Sequence, residues 1–539
     1  MISKVFYISD LKGNSGNGCV GNVKKLLDDN ELSKLFDDNI EEFKSFQEFF
    51  TRIYNDRVND SIETNFENGV YLIIVNNAES VNIRQFNSTI RSFFPTLNLL
   101  AFNYSEFIGF TSDIALWQQL KDDIKVVNNK IKRAKYWMYH TDGFKNSEHT
   151  NCSSNIYSMW SHFNSVDASH KRISGNGNAT HIPEYLRSID FKKIITSRLK
   201  YTDDEEKYIS IVSNWSFAIN ELNSSELIYC SYLIIKLSIN QLMQNTVKIN
   251  ENDIFLFLFS IEASYHKVNK FHNFKHAVDV MQATWKLSQY LLPNDKKYSL
   301  TVLLLCFAAI GHDMAHPGTN NNIFIKYNTE LSSYYNNESI LENFHLFLFN
   351  NLLNEQRNCI LPITDNNNVI KEAIMATDMA KHKHYVKKLD NLVITENAQV
   401  DLSEPQLHDM ISFIIKAADI SNVTRPLRIS AQWAYLISLE FKECELLENY
   451  INNGKDDIID KLSNDADDNI MIRENLVLST DQLIKRNPHL SKSQIFFIDV
   501  FAEEFFNKLT KKFPILSFLT DNIVFNKNYW LKHSDEVND

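Results

Sequence analysis

The chain has 539 residues, 44% of them apolar, and a net charge of −12. That length exceeds what one hydrophobic core usually accommodates, so two or more domains are expected. The acidic balance excludes a broad nucleic-acid or anionic-membrane surface, which demands clustered Lys and Arg, and leaves any phosphate-bearing substrate in need of local positive charge.

The start, MISKVFYISDLKGNSG, lacks the basic lead and apolar core of a secretory signal, and even LTVLLLCFAAI is too short to span a bilayer. Six cysteines (Cys19, Cys152, Cys230, Cys306, Cys359, Cys444) are scattered without a CxxC pair, as free thiols in a reducing compartment are. A cytoplasmic protein is expected, with no membrane segment and the nucleus as the alternative compartment. KVFYISD (4–10), GVYLIIV (69–75) and LNLLAF (97–102) read as buried strands, and NIRQFNSTIRSFF (82–94) has helical spacing. A small α/β domain with parallel strands is expected over 1–110. GNGCVG (16–21) matches GxGxxG but is separated from its strand by LKGNS, with no acidic strand end about 20 residues on, so a dinucleotide site is set aside.

A periodic stretch without Gly or Pro predicts a connecting helix over 111–140, and the Asn-, Ser-, Gly- and His-rich 141–184 reads as a flexible linker. From 185 to 535 strand signals are scarce and an all-α domain is predicted. Its helical runs are 206–221, 225–244, 251–267, 273–291, 298–312, 338–353, 406–419, 426–448 and 493–512, with an acidic surface insertion at 451–478.

Chemistry concentrates in that domain. In FHNFKHAVDV, a helix beginning at His272 would place His272, His276 and Asp279 on one face. LLLCFAAIGHDMAHPG ends an apolar run in His312 and Asp313, with His316 close behind. Such groups are not tolerated beside an apolar run unless they pair with each other or with a metal. IIKAADISNVTRP ends likewise in Asp419, ILENFH carries Glu342 and His345, and IMATDMAKH carries Thr377, Asp378 and His382. Singly, each reads as a cap or a solvated face; five in one domain argue for a site.

The order H-N-x-x-H-A-x-D, H-D-x-x-H-P-G-x-x-N, A-D-I-S-N and S-Q-x-x-F-I-D over roughly residues 200–530 resembles the class I cyclic-nucleotide phosphodiesterases. YHKVNKFHNFKHAVDVMQATW, YWMYH and NKNYWLKH are similar to the fungal high-affinity cyclic-AMP enzymes of that family. The resemblance implies an HD-type helical catalytic domain that hydrolyses 3',5'-cyclic AMP to 5'-AMP by in-line attack of a hydroxide bridging two metal ions. His276, His312, Asp313 and Asp419 would hold zinc, residue types that suit it. Asp313 would bridge to magnesium or manganese, with His316, Glu342 and Thr377 orienting the waters of that ion. His272 would be the general acid, with Glu440 holding it protonated. Gln494 would bond the purine edge between Phe497 and Ile437, and Asn422 would favour adenine, its amide donating to N7 and accepting from the 6-amino group. Phe271 stands where most relatives have Tyr. The amino-terminal pattern resembles a degenerate response-regulator receiver with only Asp10 at its first strand end. The competing readings are a dual cyclic-AMP and cyclic-GMP enzyme, another HD-type metal phosphohydrolase, which would not need the Asn422, Ile437, Gln494 and Phe497 set, and a non-enzyme sensor, which would lack a ligand or the acid.

Overall fold

The computed structural model describes residues 3–9, 16–59, 71–76 and 99–109, scattered positions up to 121, and 183–535 apart from 244–249, 361–367, 393–401 and 454–476; residues 32, 35, 203 and 294 are also excluded. Most of the expected 141–184 linker, of the 111–140 helix and of the 451–478 insertion lies outside the described residues, and Glu184 opens a helix.

Four strands, β1 (Ser3–Ser9), β2 (Phe36–Phe43), β3 (Tyr71–Asn76) and β4 (Leu99–Asn103), form a parallel sheet in the order β2-β1-β3-β4. The three expected strands are present. The fourth, β2, reads FDDNIEEF; an edge strand needs only part of its surface apolar, so its acidic residues hid it from an apolar-run criterion. Alternation along β1 sends Val5 and Tyr7 to one face and Phe6 and Ile8 to the other. Helices α1 (Gly16–Asp29) and α3 (Tyr104–Gly109) cover the first face, and GNGCVG forms the opening turns of α1. Helix α2 (Phe46–Arg57) covers the second, with Phe86, Ile90, Phe93 and Phe94 from the expected 82–94 helix. This second core continues into the helical body: Phe50 stacks on Tyr185 at 5.4 Å, and Tyr54 meets Phe259 at 4.9 Å.

The helical body begins with α4 (Glu184–Arg187), α5 (Phe191–Thr196), α6 (Glu205–Ser213), α7 (Ser224–Met243), α8 (Glu251–Ser264) and α9 (Phe274–Leu291). It continues through α10 (Ser299–Gly311), α11 (Asn321–Lys326), α12 (Glu330–Tyr334), α13 (Ile340–Ile360), α14 (Val369–Ala376), α15 (His382–Asn391) and α16 (Glu404–Asp419). It closes with α17 (Leu427–Asn453), α18 (Thr480–Arg486), α19 (Leu490–Phe497), α20 (Glu503–Lys512) and α21 (Ser517–Asp535). The run expected over 493–512 is interrupted by a π-turn at Ile498–Ala502. Among the described residues no helix is long and apolar enough to cross a membrane, and Cys19, Cys230, Cys306 and Cys444 form no disulfide.

Helix α10, SLTVLLLCFAAIG, is buried along nearly its whole length and packs against α7, α9 and α14; α16 packs on α9 and α14. Its last residue, Gly311, lies so close to α13 that an added Cβ would stand 2.7 Å from Cγ of Phe349. Gly311→Ala should therefore cost about 1–3 kcal/mol through overpacking, read as a lower midpoint of thermal unfolding; an unchanged midpoint would show that the Phe349 ring yields freely.

Candidate active site

The buried length of α10 delivers His312 and Asp313 at its end. The His312 Nδ1 pairs with the Ala309 carbonyl at 2.8 Å, so its Nε2 points away from the helix. The Asp313 amide donates to the Tyr265 hydroxyl at 3.3 Å, and that hydroxyl donates to the Ile310 carbonyl at 2.9 Å. Two residues on, Ala315 is left-handed at φ 60, a conformation that costs a non-glycine residue on the order of 1 kcal/mol or more and persists only where neighbours enforce it. The Asn269 amide does so, donating to the carbonyls of His316 at 2.7 Å and His272 at 2.9 Å.

Around this turn, imidazoles and carboxylates converge. Nε2 of His312 lies 3.1 Å from Asp313 Oδ2 and 3.5 Å from Asp419 Oδ1; Nε2 of His276 lies 3.2 Å from Asp419 Oδ1 and 3.5 Å from Asp313 Oδ2. Nε2 of His345 lies 3.7 Å from Asp313 Oδ1. None of these three buried nitrogens is aligned for a hydrogen bond with any described group. His345, like His312, commits Nδ1 to a carbonyl, that of Met314 at 2.7 Å. The Nδ1 protons of His312 and His345 are thus assigned to carbonyls, leaving Nε2 lone pairs facing carboxylate oxygens, an arrangement that a cation between them satisfies. His276, His312 and Asp313 form one group able to hold a metal ion; Asp313, His316 and His345 form a second, and Asp313 is common to both. Burial opposes protonation of His312, yet Asp313 and Asp419 together hold it well above the ordinary imidazole range, so protons and a divalent ion compete for the same atom.

His272 sits outside the α9 helix. The expected helical face from His272 is replaced by a cap: Asn273 precedes α9 and accepts from the amides of Lys275 at 2.9 Å and His276 at 3.4 Å. The His272 ring instead stacks on His316 at 4.0 Å, with His316 in turn 5.5 Å from His345. Glu440, buried on α17, contacts Nδ1 of His272 with Oε1, while its Oε2 accepts from the amides of Phe271 at 2.9 Å and His272 at 3.1 Å. Asp279, the third member of the expected face, is directed elsewhere. It is buried against Arg425, whose Nη2 donates to its Oδ1 at 2.9 Å and to Gln282 at 2.8 Å, with the guanidinium 4.3 Å over Trp215.

Of the expected second rank, Glu342 accepts from the Asn321 amide at 3.0 Å, and burial with the Asp378 charge pushes its carboxyl up to about 7. Thr377 is buried and donates to the Ile374 carbonyl at 2.8 Å. Asn422 lies in the turn after α16, three residues beyond Asp419. Ile437 and Phe497 are half-buried on α17 and α19, which pack together, and Gln494 is buried on α19. The Asn422 Oδ1 and the Gln494 Oε1 are buried acceptors with no hydrogen-bond partner among the described residues.

Several contributors escaped the sequence reading. Lys416, three residues before Asp419, reaches the Ala376 carbonyl at 3.3 Å and the Asp378 carbonyl at 3.5 Å, and burial pushes it down to about 8. Asn526 donates to the carbonyls of Val423 and Arg425, both at 2.9 Å, bracing the turn that carries Asn422. His345 is singled out beside Glu342 in ILENFH but given no role there; it lies three residues after Glu342 on the same helix. His382 turns instead toward Phe501 and Phe505.

A helical body that gathers imidazoles and carboxylates into three groups able to hold a metal ion, the third being His272, His316 and Glu440, fits a metal-dependent hydrolase. Residues 271–523 match the 3'5'-cyclic nucleotide phosphodiesterase family model. The 3',5'-cyclic-nucleotide phosphodiesterase 2 of Saccharomyces cerevisiae is 38% identical over 92% of this chain and 94% of its own length. The chain therefore belongs to the 3'5'-cyclic nucleotide phosphodiesterase family, whose members use divalent metals. The crystal structure of yeast caPDE2 in complex with IBMX superposes with a TM-score of 0.72 at 25% identity, covering 98% of this chain and all of that one. The phosphodiesterase domain of a rhodopsin fusion from Salpingoeca rosetta shares the fold over 62% of the chain, with a TM-score of 0.51.

Lowering the pH should release metal as protons reclaim the imidazoles, and His276→Ala or Asp419→Asn should lose bound metal at neutral pH, whereas His272→Ala should keep it. Elemental analysis of the purified variants decides; metal retained by His276→Ala but lost from His272→Ala would exchange the two roles.

Proposed function

We propose that the chain hydrolyses 3',5'-cyclic AMP to 5'-AMP. The observation that carries this is the His272–Glu440 pair set beside the unpartnered Nε2 atoms of His276, His312 and His345. His276, His312, Asp313 and Asp419 would hold zinc, and Asp313 would reach a second ion, magnesium or manganese, near His316, Glu342 and Thr377. Bound there, the two ions supply positive charge for the phosphate and make a water acidic enough to attack at about neutral pH.

The residues of the chain do the rest. Glu440 engages Nδ1 of His272, so Nε2 carries the transferable proton. As the water oxygen joins phosphorus and the bond to the 3'-oxygen breaks, that proton passes to the 3'-oxygen, leaving a 5'-monophosphate and a free 3'-hydroxyl. Burial works against a charged His272, but the Glu440 carboxylate outweighs it and raises the imidazole to about 9; positive charge in the metal site draws this value down again. The acid is present below its pKa and lost above it. His272→Ala should cost about 10² to 10⁴ in rate while keeping metal. Glu440→Gln should move the alkaline limb of kcat/KM to lower pH; an unmoved limb would remove Glu440 from this role.

For the base, Asn422 and Gln494 supply the edge contacts, and Ile437 and Phe497 the two sides of the ring. The support is that the oxygen of each amide is buried with no hydrogen-bond partner among the described residues, a setting in which a polar ligand edge is a natural partner. Asn422 can donate to N7 and accept from the 6-amino group of adenine; Gln494 can turn its amide for either purine. Asn422→Ala should weaken cyclic-AMP hydrolysis by roughly one to two decades in kcat/KM and cyclic-GMP hydrolysis much less. Equal losses for both nucleotides would place selectivity in the shape of the pocket. We also read the helical body as HD-type, from its adjacent His312 and Asp313. The parallel order β2-β1-β3-β4, with helices on both faces, supports a receiver-like amino-terminal unit.

A further inference from the structure

We propose that the amino-terminal sheet unit is a positioning element for catalysis, acting through Arg57 on the loop that carries His272. Arg57 ends α2 and is buried. Its Nε donates to Glu262 Oε2 at 2.6 Å and its Nη2 to the Glu262 carbonyl at 3.0 Å. Lys267 closes the clamp: its ammonium lies 3.4 Å from Glu262 Oε1 and donates to the Arg57 carbonyl. Glu262 stands in the last turn of α8, where carbonyls lack helical partners and a cation is favoured.

The clamp grips the head of a loop, several of whose later anchors reach the site. Three residues on, Tyr265 takes the Asp313 amide. Asn269 then holds the carbonyls of His272 and His316, and Phe271 and His272 meet Glu440. The unit is seated firmly enough to act as a reference: Tyr54 packs edge-on against Phe191 at 4.8 Å, and Gln47 donates to the Ser188 carbonyl at 3.2 Å. A buried ion pair is weak evidence for stability, since apolar residues could fill the space as well, but its two-pronged geometry fixes register. A general acid needs that register, because displacement by an ångström is enough to slow the chemistry.

The inference rests on His272 as the acid, and its test separates the two. In full-length protein, Arg57→Met should speed amide hydrogen exchange through 265–273 and lower kcat about 10- to 100-fold, with KM and metal content held within about two-fold. Arg57→Lys keeps the charge without the fork and should fall between. Lys267→Met removes a partly exposed side chain and leaves the Arg57–Glu262 pair in place, and should loosen the same loop and lower kcat to a smaller extent. Loop exchange and kcat as in the parent, or a kcat that falls only with the folded fraction or the metal content, would overturn the coupling. Should Arg57→Met fail to fold, Lys267→Met decides by the same two measurements. Full kcat in His272→Gln would instead refute the acid reading, leaving loop exchange as the measure of the coupling itself.

Discussion

Three imidazole nitrogens and two carboxylates face one another inside an apolar helical bundle without being aligned to bond each other. Most of the surrounding structure keeps them there. Two mostly buried carboxylates repel, and neutral imidazoles turned lone pair first do not relieve them, so the cluster is tolerable only with positive charge at its centre. In a chain of net charge −12, that requirement is local. It accords with the tautomers set by the Ala309 and Met314 carbonyls, which turn Nε2 of His312 and His345 toward the carboxylates.

The groups that hold the site bond through their donors: Tyr265 and Asn269 engage backbone on both sides of it, and the turn after Asp419 is braced by Asn522 and Asn526 and by the Arg425–Asp279 pair. The Asn422 and Gln494 oxygens, proposed to face the purine, have no hydrogen-bond partner among the described residues, and the Asn269 and Asn526 oxygens share that state. A site arranged before the ligand arrives needs no reorganisation as charge develops, and unpaired buried acceptors discriminate against a base that cannot satisfy them.

His312, Asp313 and Asp419 were legible in the sequence because apolar helices that end in titratable groups demand a partner, whatever the fold. The helical face through His272, His276 and Asp279 was legible only in part. Periodicity sees which residues could share a face, but not that Asn273 would cap α9 and exclude His272, although an Asn before an apolar run is itself a start signal. Nor does it see that an arginine far along the chain would claim Asp279. Strand β2 failed for another reason: at a sheet edge, the alternation that marks a strand can be replaced by charge.

The pairing of Arg57 with Glu262 spans 205 residues and leaves no local pattern, yet it makes the seating of the sheet unit and the order of the His272 loop one equilibrium. The seam around it is aromatic: Phe46, Phe50 and Tyr54 meet Tyr185, Phe191 and Phe259. Close-packed rings of this kind do not slide by fractions of an ångström; they stay interlocked or separate. Separation would also take the guanidinium from Glu262 and leave Lys267, 3.4 Å from its Oε1, as the cation beside it, which adds to the cost of opening. Any ligand or partner that bound only the separated state would therefore release the loop and His272 together, whereas one binding both states equally would leave both in place.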